Sequence, residues 1–488
     1  VTMSVRRSLV WSLCGQSLSV IAMVVAMVVL ARTLTPREMG IYAVGLATTG
    51  ILQIVAAFGL GHFVTREIEL TDPTLSSVFT VNALLALLLA VVTYLASFAG
   101  AALFTEAGVA DVLKLLAIVP LIGIFEFLPA ALLQREMRFK PVSIVLMLRA
   151  IGSTTVTIVS VLLGASYLSA AYGAIAYALI GAVGMNLALP GHLMMRPGLH
   201  DWRRIVPFGL RVMSIGGVSV LSMRMTELVM GRVMGLAALG IFTRASTLYT
   251  AIYSNIFGVA ARVLFAKLAH DNRSTGELRA TYLRGLDMLL AIMWPFLLTV
   301  AVLAGPIIQH AFGPRWLAAA PVLTILMVAQ AVTMLFAMSY ELFTLRDELA
   351  RQARYEGFRS LLGLVLISAG CLISLEAAAL GRAIESTVAA ALYLPHMCRL
   401  TGVTAAEIGR VIGRNLLIAL GTLIPMVAIM SISGWRADVP LAVLAQIALL
   451  TVLAWIVALR IVRHPLLLEI GHALRVMRGR LRLQRGNA

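Results

Sequence analysis

The sequence predicts an all-α integral membrane protein with about fourteen transmembrane helices, on three observations. Apolar stretches long enough to cross a bilayer recur from Leu9 to Leu459, with only short polar connections between them. A helix needs roughly 20 mostly apolar residues to span the hydrocarbon core, and a soluble protein has no use for about a dozen such segments. The composition agrees, at 60% hydrophobic and 12% charged residues with a mean hydropathy of +0.96. Finally, Lys and Arg concentrate in alternate connections, as in chains that thread a membrane repeatedly.

The first span, 9–31, follows Arg6 and Arg7 and stays apolar for too long to be a cleaved signal peptide, so it reads as a retained helix. A polar turn from Arg32 to Glu38 leads to the second span, 40–63, and the charged stretch Arg66–Asp72 leads to the third, 77–99. The fourth, 111–133, ends at Gln134-Arg135-Glu136, and the fifth and sixth, 141–164 and 168–190, run to the polar stretch His192–Ile205. Spans seven to ten are 208–230, 238–262, 284–308 and 319–343; the eleventh and twelfth, 357–374 and 376–395, are separated only by a weak gap at Leu375. Spans 414–433 and 440–460 complete the count, and a basic tail, 461–488, follows.

With a cytoplasmic N-terminus, the inner segments hold 27 of the 39 Lys and Arg residues, Arg359 among them. The outer segments hold seven, including Arg382, and five lie within spans: Arg149, Arg211, Arg224, Arg244 and Arg262. This bias places both termini in the cytoplasm. The net charge of +17 is thereby explained without nucleic acid. The tail from Arg475 to Arg485 serves topology and solubility, or meets anionic lipid headgroups.

Catalytic motifs are missing. None of the three lysines, Lys114, Lys140 and Lys267, follows a glycine, so no phosphate-cradling loop is formed, and the eight histidines form no His-Glu-x-x-His pair. Cys14, Cys371 and Cys398 are scattered and give neither a disulfide framework nor a metal motif. No catalytic residue, metal or cofactor is assigned, and the chain is not expected to be an enzyme.

An internal repeat organises the spans. Arg32, Gly40, Ile41 and Tyr42 recur 200 residues later as Arg232, Gly240, Ile241 and Phe242, each time between the first two helices of a half. An even number of helices per half makes the copies parallel. A weaker echo pairs the outer connections at Phe104 and Phe312. The expected organisation is therefore a six-helix lobe at 1–190, a second at 208–395, two further helices at 414–460, and the tail. Two lobes around a cavity suit alternating access.

Charges inside spans carry most of the functional signal, because each costs roughly 2.5–3.5 kcal/mol or more to insert. Glu126 and Arg149 lie at similar depths on consecutive helices; Arg224 and Glu227 share one face of the seventh span; Arg244 is comparably deep in the eighth. Arg211 sits near the inner end of the seventh span, within snorkelling reach of the cytoplasm. One reading makes Glu126–Arg149 and Arg224–Glu227 ion pairs that hold helices together. The other notes the surplus cation left by Arg224 and Arg244 against Glu227, which suits a phosphate group. The helix does not require an arginine at 244, since the repeat-equivalent residue is Val44. Gln16, Asn82, Asn186 and Asn255 are able to bond sugar hydroxyls or neighbouring helices. Pro120, Pro129 and Pro295 bend their helices.

Four segments at helix junctions carry a family resemblance: Ala31–Pro36 followed by Gly40-Ile41-Tyr42; Ala131–Phe139; Gly231–Gly235 followed by Leu239–Phe242; and Phe312-Gly313-Pro314-Arg315-Trp316. In order and spacing the chain resembles the Wzx-like polysaccharide flippases of the multidrug, oligosaccharidyl-lipid and polysaccharide (MOP) exporter superfamily. The resemblance implies a MATE-like two-lobed fold in a bacterial inner membrane. It also implies an undecaprenyl-pyrophosphate-linked oligosaccharide as substrate, H+ or Na+ as coupling ion, and a polysaccharide polymerase and co-polymerase as partners. Many relatives have Asp where this chain has Glu227. The rival expectations are a cation-coupled multidrug exporter of the same superfamily, disfavoured by the arginine surplus, and an integral membrane glycosyltransferase or polymerase, disfavoured by the short outer loops.

Overall fold

The computed structural model describes residues 21–469 except 23, 57–58, 192–196, 252, 254–256, 258–267 and 269–277. The start of the first span with Gln16 and Cys14, the inner half of the eighth with Asn255 and Arg262, the Arg211 side chain and the tail from 470 lie outside the described residues. All regular structure among the described residues is helical.

In chain order the helices are α1 (Val24–Thr33), α2 (Pro36–Ala56), α3 (Leu60–Arg66), α4 (Asp72–Phe104), α5 (Ala107–Leu116), α6 (Ile118–Arg135), α7 (Phe139–Leu162), α8 (Ser169–Ala188) and α9 (Trp202–Val233). Then come α10 (236–251), α11 (Arg279–Val302), α12 (Ala304–Phe312), α13 (Ala319–Thr333), α14 (Ser339–Leu345), α15 (Leu349–Gly370), α16 (Leu375–Thr401), α17 (Ala405–Ile432) and α18 (Leu441–Ile461). Among the described residues, eight spans have the length and hydropathy to cross a membrane, counting α5–α6 and α13–α14 as one each. The charges that α15 and α16 carry lower their hydropathy and keep them out of that count.

Local chemistry explains the boundaries. Glu38 accepts from the Thr35 backbone at 2.7 Å while its own amide donates to the Thr35 hydroxyl at 3.3 Å, a reciprocal cap that starts α2 at Pro36. Thr404 and Glu407 form the same box at the start of α17. The weak gap at Leu375 is a turn: α15 ends at Gly370, and the Ser374 hydroxyl accepts from the Ala377 amide at 3.1 Å to begin α16.

Contacts group the chain into two compact units, Val1–Thr243 and Arg244–Ala488. In the first, α2 packs on α9, α4 and α5; α4 packs on α6; and α8 packs on α6 and α7. Phe63, Val64, Val78, Leu128 and Ile205 form a buried cluster there. The connection before α9 is tied to α4: Asp201 accepts from the Thr74 hydroxyl at 2.6 Å, and the Gly198 amide donates to Thr80 at 2.9 Å. In the second unit, α13 packs on α11 and α16, α15 on α16, and α17 on α11 and α18. Asp287 of α11 anchors α17, accepting from Arg414 at 2.6 Å and Asn415 at 2.8 Å, with the buried His464 at 3.1 Å.

Candidate functional site

Among the described residues, and besides the Asp287 cluster, four constellations of charged side chains inside the helices bear on a site, two in each unit. In the first unit Arg149 of α7 donates to Glu126 of α6, and both side chains are largely buried. The Arg149 guanidinium lies 3.6 Å from the centre of the Tyr177 ring on α8, a cation–π contact. Gly181, one turn further along α8, leaves room for the carboxylate, since any side-chain carbon there would press on Glu126. Among the described residues the buried Arg149 Nε has no hydrogen-bond partner.

Proline shapes the same place. Pro129 lacks the N–H that would bond the Phe125 carbonyl four residues earlier. Asn186 of α8 replaces it, donating to that carbonyl at 2.7 Å. The carbonyl next to Glu126 is thus held by a side chain from another helix, which fixes α6 where the ion pair forms.

Beside the pair, α3, α4 and α6 line an open cavity of about 340 Å³, with Asn82, Glu126 and Gln134 as its polar groups. Gly61 and Gly123 face it, and no atom lies within 4 Å of where a Cβ would be built on either. No Lys or Arg among the described residues lines it. The C-terminal end of α3 is fastened by Arg135, which donates to the carbonyls of Val64 at 2.6 Å and Ile68 at 2.9 Å and so caps α3. On the sequence Arg135 counts only as a topological charge; its place in the Ala131–Phe139 segment is the signal for this role.

The second constellation of this unit lies on α9. Arg224 donates to Glu227 at 2.9 Å, one turn away on the same helix. The guanidinium rests on Gly50 of α2, where a Cβ would overlap it. Its Nε is buried and has no hydrogen-bond partner among the described residues.

Arg244 belongs to the second unit. It is 5% exposed, and its guanidinium sits 5.5 Å from the Phe312 ring centre and 5.3 Å from that of Trp316. Gly313, at φ 94°, permits the turn that brings both rings to one arginine. The Phe312-Gly313-Pro314-Arg315-Trp316 segment is thus an aromatic seat.

Sequence reasoning missed the fourth constellation. Arg359 and Arg382, counted there with the inner and outer segments, lie within α15 and α16 and converge on one carboxylate. Glu385 is fully buried, 3.4 Å from Arg359 and 3.0 Å from Arg382; Arg359 also grips Glu356 with two nitrogens, at 3.1 and 2.5 Å. The available signal was spacing: Glu356–Arg359 and Arg382–Glu385 repeat the three-residue interval of Arg224–Glu227.

Comparison with known proteins accords with this architecture. Residues 29–321 match the family described as polysaccharide biosynthesis protein. The chain is 24% identical over 329 residues to the lipopolysaccharide biosynthesis protein WzxC of Escherichia coli K12, and the match covers 65% of each chain, just under two thirds. It is 24% identical to the teichuronic acid biosynthesis protein TuaB of Bacillus subtilis 168 (67% of this chain, 68% of that one) and 22% identical to the succinoglycan biosynthesis transport protein ExoT of Rhizobium meliloti 1021 (67% of each). Among solved structures, the lipid II flippase MurJ in an inward closed conformation superposes with a TM-score of 0.73 at 14% identity, covering 94% of this chain and all of that one. An inward-facing MATE multidrug transporter superposes with a TM-score of 0.62 at 18% identity, covering 79% and 95%. The chain belongs to the polysaccharide biosynthesis protein family and has the all-helical membrane fold of the MOP superfamily seen in MurJ and MATE proteins.

Proposed function

We propose that the chain is a flippase that moves a lipid-linked oligosaccharide repeat unit, carried on undecaprenyl pyrophosphate, from the cytoplasmic to the periplasmic leaflet of a bacterial inner membrane. The observation that carries this reading is that the family match, residues 29–321, contains every charged constellation of the first unit and Arg244 with its aromatic seat. A membrane chain that only builds a scaffold has no use for such charges. The names of the relatives, which refer to lipopolysaccharide, teichuronic acid and succinoglycan, agree with a polysaccharide cargo.

In this reading fourteen spans form two six-helix lobes, 1–190 and 208–395, with 414–460 and the tail appended and both termini cytoplasmic. Rocking of the lobes exposes the load alternately to each side. Arg224 and Arg244 attract the pyrophosphate, Arg244 leaving its aromatic seat to do so. Arg211 guides it at the inner end. Glu126 or Glu227 carries the coupling proton if the driving ion is H+ rather than Na+, and the polymerase and co-polymerase take the product.

The carboxylate in the first-unit cavity favours one second reading, a cation-coupled multidrug exporter. Depletion of the protein in its own host separates the two. The flippase reading expects loss of surface polymer and accumulation of the lipid-linked unit in the inner leaflet. Unchanged polymer with raised sensitivity to cationic drugs would overturn it.

A further inference from the structure

We propose that the cavity lined by α3, α4 and α6 is a sugar subsite that takes a neutral hexose ring of the cargo; this rests on the flippase reading. Its size points to part of a glycan. Small-molecule sites run from roughly 300 to 1,000 Å³, so about 340 Å³ accommodates a ring or two and excludes a whole repeat unit.

Its chemistry selects among ligands. Among the described residues no Lys or Arg lines the cavity, and its one carboxylate, Glu126, is already paired with Arg149, so a pyrophosphate or a uronic acid finds no cation in the lining to receive it. A cation gains little, because Arg149 already neutralises that carboxylate from behind. What remains suits a polyol. The Glu126 carboxylate, which Arg149 contacts through Oε1, supplies an acceptor to the lining. Asn82 contributes a side-chain amide to the lining. Gln134 adds an amide, and Phe127 offers an apolar ring for the carbon face of a sugar. Gly61 and Gly123 keep the floor open.

Gly123 also supplies the test. Gly123→Leu projects into the cavity, where no atom lies within 4 Å of the added Cβ, and it improves helix propensity. The full chain, with Cys14, Cys371 and Cys398 replaced by Ser and Ala130→Cys placed in the cavity wall, is reconstituted in nanodiscs, and maleimide labelling of residue 130 is timed. Octyl glucoside, octyl glucuronide and octyltrimethylammonium share one tail; the glucuronide adds an anionic carboxylate to the sugar, and the ammonium compound replaces the sugar with a cation. Octyl glucoside should slow labelling and the other two should not. Gly123→Leu should abolish that protection at unchanged melting temperature. Asn82→Leu and Gln134→Leu should each weaken it about five- to tenfold, the loss of one hydrogen bond. Equal protection by the glucuronide, protection by the ammonium compound, or no protection by the glucoside would each overturn the proposal. The flippase reading fails separately, if host depletion leaves polymer export intact.

Discussion

Gly40 and Gly240 hold their helices at backbone contact, and they do so reciprocally. A side-chain carbon on Gly40 would overlap the Leu236 carbonyl oxygen, and one on Gly240 would overlap the Pro36 carbonyl oxygen. Both the glycines and the carbonyls are 200 residues apart in the sequence. The two turns read as a repeat, Arg32–Tyr42 and Arg232–Phe242, thus meet at the start of α2 and α10.

Because each obstacle is a backbone oxygen, no rotamer change relieves it. Gly40→Ala and Gly240→Ala should each destabilise the protein by about 1–3 kcal/mol. Gly409→Ala, on an open face of α17, should be neutral or stabilising by up to about 1 kcal/mol. Thermal unfolding in detergent measures all three, and equal melting temperatures would remove the contact from the account.

The glycine-backed charges separate structure from function. Arg224 pairs with Glu227 on its own helix, so Arg224→Lys keeps a cation there and should leave protein abundance near wild type. A lysine cannot offer phosphate two parallel donors, and polymer export should fall sharply. Normal export from an Arg224→Ala, Arg244→Ala double variant at normal abundance would end the phosphate assignment.

Glu126 and Arg149 test differently, because their side chains are only 18% and 13% exposed. Arg149→Met strands a carboxylate against Gly181 and should cost about 3–5 kcal/mol. Adding Glu126→Gln should recover much of that loss. If the double variant is as unstable as the sum of the single ones, the pair is not coupled.

Long-range packing decided what was legible in the sequence. Apolar runs and the repeat are local patterns, and they located the helices and the charged positions Glu126, Arg149, Arg224, Glu227 and Arg244. The glycines that seat those charges were not legible: Gly50 and Arg224 lie on different helices far apart in sequence, as do Gly181 and Glu126. Arg359 and Arg382 were assigned to opposite membrane sides by their nearest helix ends. Only the packing of α15 on α16 shows that they share Glu385.

Prolines in two helices leave carbonyls that other helices satisfy. Pro129 frees the Phe125 carbonyl for Asn186, and Pro295 of α11 frees the Ala291 carbonyl, which accepts from the Trp455 indole of α18 at 2.9 Å. In a bilayer no water replaces a lost donor. Asn186→Leu should therefore cost about 1–3 kcal/mol by leaving a buried carbonyl unpaired. In a Pro129→Ala background residue 129 regains its N–H, the carbonyl no longer depends on Asn186, and the cost of Asn186→Leu should drop by about 1 kcal/mol or more. Trp455→Phe measured with and without Pro295→Ala repeats the test in the second unit. An Asn186→Leu penalty that stays the same in both backgrounds would mean that Asn186 acts through packing alone, and that the carbonyl beside Glu126 is not what it holds.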